Sequence, residues 1–232
     1  MTNEAARIAE NVAGVRGRIA DAAARSGRQA SQITLVAVTK YVSAEMVRPL
    51  IAAGCIDLGE SRPQQLWEKA AALADVPVRW HLIGHLQRNK VRRTLPLVTM
   101  MHSVDSSRLL SAIEEEQLDT LPVLLEVNIS GEAAKQGLAP KAIEPFLVEA
   151  AGYRHVAICG LMGMAGLEGG LETARRDFAA LRELRDRLRP RCPAGVTLDE
   201  LSMGMSGDFE VAIEEGATIV RVGSALFEEV TQ

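Results

Sequence analysis

One lysine stands where it could act as a nucleophile. Residues 33–40, ITLVAVTK, form a β-branched apolar run that ends on Lys40. Two-residue periodicity leaves both faces apolar, which is typical of a buried parallel strand. Ligands of such sheets bind beyond the carboxyl ends of the strands, where a desolvated lysine amine can attack a carbonyl carbon. Lys40 is therefore a candidate to form a Schiff base, although a strand-end lysine turned out to water is the commoner arrangement.

Two segments rich in glycine and serine are candidates for binding a phosphate. Residues 202–207, SMGMSG, and 221–224, RVGS, follow the last two predicted strands. Glycines let backbone N–H groups approach an anion and serines add hydroxyl donors, although ordinary turns contain the same residues. In (β/α)₈ barrels the loops after the seventh and eighth strands frequently bind phosphate. The predicted contacts come from both loops: Ser202, Met203, Gly204, Gly223 and Ser224.

A reactive lysine, a phosphate site and a strand-end arginine together suit one cofactor, pyridoxal 5'-phosphate (PLP). Its aldehyde would join Lys40, its phosphate would lie on the two loops, and Arg221 would face the ring nitrogen. A guanidinium cannot accept a proton, so the ring nitrogen would stay unprotonated and withdraw electrons weakly.

The elements that must position these residues alternate regularly along the chain. An amphipathic first helix, with Ile8, Val12, Val15 and Ile19 on its apolar stripe, precedes eight βα units. Strands are predicted at 33–40, 56–60, 79–84, 98–104, 122–129, 156–162, 197–203 and 218–223. Helices are predicted at 44–53, 63–74, 106–117, 141–151, 171–188 and 208–215. Eight units predict a single (β/α)₈ TIM barrel, residues 1–232, with an extra N-terminal helix.

Composition narrows the class of protein. The 232 residues are 47% apolar, 24% charged and 3% aromatic, with a formal net charge of -4, so neither nucleic acid nor anionic lipid is an expected partner. Three scattered cysteines and the absence of a long apolar run predict a cytoplasmic protein. His81 and His85 lack the glutamate of a zinc-peptidase motif, so no metal site is expected.

Seven longer motifs resemble those of the pyridoxal phosphate homeostasis proteins. They are VAVTK at 36–40, LGES at 58–61, RWHLIGHLQRNK at 79–90, HSVDS at 102–106, EVNISGE at 126–132, LSMGMS at 201–206 and VRVGSALF at 220–227. The resemblance implies a barrel like that of the alanine racemase N-terminal domain, with the cofactor on Lys40 and no established turnover. Ser61 departs from the family's usual asparagine, so a cofactor contact there must be shorter or absent. Ser61 and His85 complete the predicted cofactor-binding set.

The residues leave two classes of function open. One is a non-catalytic carrier that buffers PLP or delivers it to apo-enzymes, as a monomer or weak homodimer; the other is a small PLP-dependent amino-acid racemase. A sugar-phosphate aldolase is a weaker third. Racemisation needs an acid/base on each face of the cofactor, and racemase-like barrels take one from a separate domain. With only Tyr41 and Tyr153 as tyrosines in this chain, the carrier is the favoured prediction.

Overall fold

The computed structural model describes residues 3–116, 119–132, 135–166 and 168–230. Within them, eight parallel strands close into a barrel, because each strand pairs with the next and the last pairs with the first. In chain order they are β1 Thr34–Val38, β2 Asp57–Glu60, β3 Arg79–Leu82, β4 Val98–Val104, β5 Leu121–Val127, β6 Val156–Gly163, β7 Glu200–Ser202 and β8 Ile219–Val222. The predicted (β/α)₈ barrel is confirmed.

Helices surround the barrel. They are α1 Asn3–Arg25, α2 Ala44–Ala52, α3 Pro63–Ala72, α4 Val91–Thr94, α5 Ser107–Glu116, α6 Ile143–Ala150, α7 Gly170–Leu188 and α8 Phe209–Glu214. The helix predicted at 106–117 corresponds to α5, and residue 117 lies outside the described residues. α4 has no counterpart among the predicted helices, because its single turn is too short to show a helical period. No helix in these described ranges has both the length and the apolar character needed to cross a membrane.

The extra N-terminal helix is also confirmed. In α1 the predicted apolar stripe is buried, with Ile8, Val12, Val15 and Ile19 no more than 4% exposed. The helix packs against α2 and α8. Arg18 adds a two-pronged ion pair with Glu210 of α8, at 2.7 and 2.8 Å. Thus α1 covers the barrel near its closure between β8 and β1.

The first strand ends earlier than the sequence indicates. β1 stops at Val38, and Lys40 lies in the turn that follows, where the Val42 N–H donates to the Thr39 carbonyl oxygen at 3.1 Å. Inside the barrel, Val36 packs in a small apolar cluster with Leu124, Met162 and Ile219. Ala37 belongs to the larger core between strands and helices. This alternation agrees with a strand buried on both faces.

Candidate functional site

A cavity of about 800 Å³ lies at the carboxyl ends of the strands. Its wall comes from the ends of six strands and the segments after them: Val38, Lys40, Tyr41, Val42, Ser61, Ile83, Met164, Met205, Ser206, Gly207, Arg221, Gly223, Ser224 and Phe227. Lys40 and Arg221 carry positive charge, and no carboxylate is found among these described lining residues. In a chain with a net charge of -4, the lining of this cavity is locally positive.

Lys40 projects into the cavity from the turn after β1. The residue is half-buried, and its Nζ lies 4.8 Å from the centroid of the Tyr41 ring. Tyr41 itself is 84% exposed at the mouth. The amine is therefore accessible to a small molecule that enters past the tyrosine ring.

A buried ion pair fixes the backbone immediately before Lys40. Lys69 of α3 contacts Glu60 at the end of β2, and its Nζ also donates to the Thr39 carbonyl oxygen at 2.5 Å. The Thr39 hydroxyl donates to Glu60 Oε1 at 2.7 Å, and the Thr39 N–H donates to the Gly59 carbonyl oxygen at 3.0 Å. These bonds hold Thr39 on three sides. Lys40 therefore extends from a rigid base rather than from a loose loop.

Sequence reasoning missed Glu60 and Lys69. Both are almost fully buried, at 0% and 7% exposure. The available signal was the three-residue spacing of Pro63, Leu66 and Lys69, which puts the lysine on the apolar face of α3. A lysine on that face needs a buried partner, and the carboxylate at the end of β2 supplies it.

Arg221 is almost fully buried, yet it lines part of the cavity. The residue is 4% exposed; its Nη1 donates to Ser202 Oγ at 2.6 Å and its Nη2 to the Gly163 carbonyl oxygen at 3.1 Å. Burial lowers the pKa of Arg221 to about 10, while the negative charges of Glu126 and Asp208 oppose that shift. The guanidinium therefore remains protonated at neutral pH.

The loops after β7 and β8 are tied together by one serine. Ser206 Oγ accepts from the Gly223 N–H at 3.1 Å and from the Ala225 N–H at 3.3 Å. The first loop turns sharply at Gly204, where φ is +91° and a Cβ would lie 2.5 Å from the Ala212 Cβ. Only glycine fits this backbone without strain. The predicted meeting of the two loops is therefore present.

The structure brings together five of the nine predicted site residues and keeps three of the others below the cavity. Lys40, Ser61, Arg221, Gly223 and Ser224 line the cavity. Ser202, Met203 and Gly204 are buried and do not line it. Ser202 is the last residue of β7 and its hydroxyl points to Arg221 inside the barrel. Ser206 and Gly207, which lie further along the same loop, line the cavity instead.

His85 is the ninth predicted residue, and it lies away from the cavity wall. Its side chain is 44% exposed, with Nδ1 3.3 Å from Asp105 Oδ2. The loop after β3 carries it outward, and the nearby Ile83 takes the place on the wall. A direct contact from His85 to a molecule in the cavity is not supported by this geometry.

The comparisons with known proteins agree with these features. The alanine racemase N-terminal domain family matches residues 8–229. A pyridoxal phosphate homeostasis protein of Pseudomonas aeruginosa is 42% identical over 224 residues, covering 95% of this chain and 94% of that protein. The chain belongs to the pyridoxal phosphate homeostasis protein family. The resemblance seen in the sequence motifs is confirmed.

Two solved structures show how far the likeness extends. PipY of Synechococcus elongatus, solved with PLP bound, is 32% identical with a TM-score of 0.83, covering 95% of this chain and 99% of that one. Alanine racemase from Corynebacterium glutamicum is 17% identical with a TM-score of 0.69, covering 96% of this chain and 61% of that one. The second likeness shows the shared barrel alone.

Proposed function

We propose that the protein holds PLP as a Schiff base on Lys40 and acts as a carrier that buffers the cofactor or delivers it in the cytoplasm. The observation that carries the proposal is that Lys40, Arg221 and the Ser206 and Ser224 loops share one cavity. Two findings on related proteins support it. The Pseudomonas aeruginosa relative is named a pyridoxal phosphate homeostasis protein, and PipY was solved with PLP bound.

The cavity fits such a cofactor. Its volume of about 800 Å³ lies within the range that small-molecule sites occupy. Two cationic side chains without a carboxylate among the described lining residues suit a phosphorylated ligand. Hydroxyls of Ser206 and Ser224 and the loop N–H groups supply donors for the phosphate. A primary amine lies in the same cavity for the aldehyde.

Each residue has a separate task in this proposal. PLP supplies an aldehyde that condenses with a primary amine, releasing water, and a ring that withdraws electrons. Lys40 supplies the amine, and the Glu60 and Lys69 pair holds the turn that carries it. Arg221 has N–H donors and no acceptor, so beside the ring nitrogen it would leave that nitrogen without a proton. It would thereby weaken the withdrawal of electrons by the ring and disfavour loss of a substrate Cα proton.

The same geometry favours a carrier over a racemase. Two-sided proton transfer needs an acid/base on each side of the cofactor. Tyr41 is the tyrosine of the cavity wall, but its ring lies against Lys40 and both come from the turn after β1. Its hydroxyl is therefore poorly placed to work from the side opposite the lysine. The expected activity is transfer of PLP to apo-enzymes.

Binding is tested by titrating the purified protein with PLP and following the visible absorption of the bound cofactor. We expect a saturable band in the native protein and in a Lys141→Ala control, because Lys141 is exposed and does not line the cavity. Lys40→Ala should lose the band. A full band in Lys40→Ala would reject the assignment of the lysine.

Turnover is tested by incubating the loaded protein with D- and L-amino acids in deuterated water. We expect transfer of PLP to an added apo-enzyme together with very slow Cα exchange. Exchange at about 1 per second or faster for any amino acid, as ordinary enzymes achieve, would favour the racemase.

A further inference from the structure

A line of buried side chains runs through the barrel from Arg221 to the opposite end. Arg221 Nη1 lies 2.6 Å from Ser202 Oγ, and Ser202 Oγ lies 2.9 Å from His102 Nδ1. His102 Nε2 lies 2.9 Å from His81 Nδ1, and His81 Nε2 lies 3.1 Å from Asp57 Oδ1. Ser202 and His102 are 0% exposed and His81 is 5% exposed. These five side chains come from five strands, β8, β7, β4, β3 and β2, and they form one continuous line of hydrogen-bonded groups.

The direction of each hydrogen bond in this line is determined by Arg221, at the end near the cavity. A guanidinium has N–H groups and no acceptor, so Arg221 must donate to Ser202 Oγ. The serine proton then needs an acceptor, and among the described residues His102 Nδ1 is the partner within hydrogen-bond distance. A buried hydroxyl that points at no acceptor is costly. Ser202 therefore donates to His102 Nδ1.

That bond determines both histidine tautomers. With Nδ1 accepting, neutral His102 carries its proton on Nε2 and donates it to His81 Nδ1. His81 then carries its own proton on Nε2 and donates it to the Asp57 carboxylate. The reverse order would leave the Ser202 proton unused and, with His81 neutral, would aim a nitrogen lone pair at a carboxylate oxygen. Every donor in the chain therefore points from Arg221 toward Asp57.

Burial keeps His102 uncharged. It is the main cause that holds the pKa of His102 well below its ordinary value, and the neighbouring His81 and the positive charge of Arg221 act in the same direction. At the far end, burial alone would raise the pKa of Asp57, but hydrogen bonds from His81 and Arg79 outweigh it and leave that pKa lowered. The line thus runs from the Arg221 cation through an uncharged His102 to the Asp57 carboxylate.

We infer that His102 is a positioning residue for Arg221: as a neutral Nε2–H tautomer it accepts the Ser202 proton and so fixes the serine oxygen as the acceptor of the arginine. The guanidinium edge that bonds Ser202 is thereby held inside the barrel, and Arg221 also lines the cavity. Its role in facing PLP rests on the proposed function. The tautomer itself does not.

The tautomer is measured directly by two-bond ¹H–¹⁵N NMR on the ¹⁵N-histidine protein at pH 7 without added PLP. The chain has 4 histidines, and His85→Gln and His155→Gln remove the two that lie outside the buried line. We expect His102 and His81 both to carry a proton on Nε2, with Nδ1 unprotonated. A His102 proton on Nδ1, or a doubly protonated His102 ring, would overturn the inference whether or not the protein binds PLP.

The positioning role is measured by PLP affinity and by the absorption spectrum of the bound cofactor against pH. His102→Leu removes both ring nitrogens, whereas His102→Gln keeps one acceptor and one donor; His155→Leu is the control, because His155 is partly exposed and pairs with Glu114. We expect His102→Leu to bind about tenfold more weakly with a displaced pH profile, because a hydrogen bond to a charged group loses its support. His102→Gln should recover most of the affinity and the native profile.

Two results would overturn this role. One is His102→Leu with the affinity and pH profile of the native protein; the other is His102→Gln as weak and as displaced as His102→Leu. Failure of the native protein itself to bind PLP would instead reject the proposed function, and the NMR result would still decide the tautomers. If His102→Leu does not fold, the NMR measurement and His102→Gln remain decisive.

Discussion

At the carboxyl ends of the strands, the cavity of about 800 Å³ contains Lys40 and Arg221 and no carboxylate among its described lining residues. At the amino ends, cavities of about 420 and 240 Å³ are both lined by Arg79 together with Asp57. There Arg79 Nε donates to Asp57 Oδ1 at 2.7 Å. Lys40 and Arg221 thus have no carboxylate beside them among the described residues of the cavity wall at one end of the barrel, whereas Arg79 and Asp57 pair with each other at the other end.

The difference follows from the polarity of the βα unit. α2 and α3 begin soon after the turns that carry Lys40 and Ser61, so backbone N–H groups and the positive ends of helix dipoles collect at the carboxyl ends of the strands. Helices reach the other end with their carbonyl groups. The backbone alone therefore makes the carboxyl ends of the strands a more favourable place for an anion than the amino ends. The side chains of Lys40, Arg221 and the serines add to that preference.

The largest expected effect concerns the ion pair beneath Lys40. Lys69→Met leaves Glu60 buried without its cation, and we expect a loss of about 3 to 5 kcal/mol in the free energy of unfolding, measured with urea. Arg48→Met is the control, because it removes an exposed pair with Asp75 and should lower the free energy of unfolding far less than Lys69→Met. Equal losses in the two variants would show that the carboxyl end has no special buried support.

The next effect concerns the phosphate. Pyridoxal, which lacks it, should bind at least about 100-fold more weakly than PLP, because several charge-assisted hydrogen bonds are lost together. Equilibrium titration with both ligands measures the ratio. Equal affinity would mean that the loops after β7 and β8 are ordinary turns and that the charge difference between the two ends does not serve binding.

A smaller loss of PLP affinity is expected when one serine hydroxyl is removed, and it should occur at only one end of the barrel. Ser206→Ala removes a hydroxyl on the cavity wall and should weaken PLP binding about tenfold. Ser31→Ala removes one that lines the cavity at the amino ends, and affinity should not change. Titration of both variants with PLP measures the two affinities. A larger loss of affinity in Ser31→Ala than in Ser206→Ala would show that the phosphate binds at the amino ends of the strands.

The smallest effect concerns acid stability at the amino end. The folded pKa of Asp57 is lowered, so its stabilisation is present above the unfolded pKa of about 3.9 and is lost as pH falls through the folded value. Asp57→Asn should therefore be less stable by about 1 kcal/mol at pH 7, with the difference shrinking below about pH 4. Urea unfolding at several pH values measures it; a difference that grows toward low pH would contradict this role.

The sequence was sufficient for the architecture and for part of the site. Regular βα alternation predicted the barrel, because each strand and helix follows a local pattern. The end of a strand is less well determined. Lys40 lies beyond β1, and Ser206 rather than Ser202 lines the cavity, because β7 ends with the Ser202 side chain inside the barrel.

Contacts between distant residues could not be predicted from one sequence. Ser202 and His102 are 100 positions apart, and only barrel closure brings them to 2.9 Å. His81 and His102 sit in separate motifs with no shared spacing. Lys69 and Glu60 are closer along the chain, yet nothing local indicates that Lys69 also holds Thr39.

Mass spectrometry after borohydride reduction tests the central claim most directly. The native protein is loaded with PLP, reduced to fix the carbon–nitrogen bond, digested and mapped. The proposed function predicts one stoichiometric adduct on the peptide that contains Lys40, at the carboxyl end of the barrel. An adduct on Lys69, Lys90, Lys135 or Lys141 in its place, or a native protein that carries none, would contradict it.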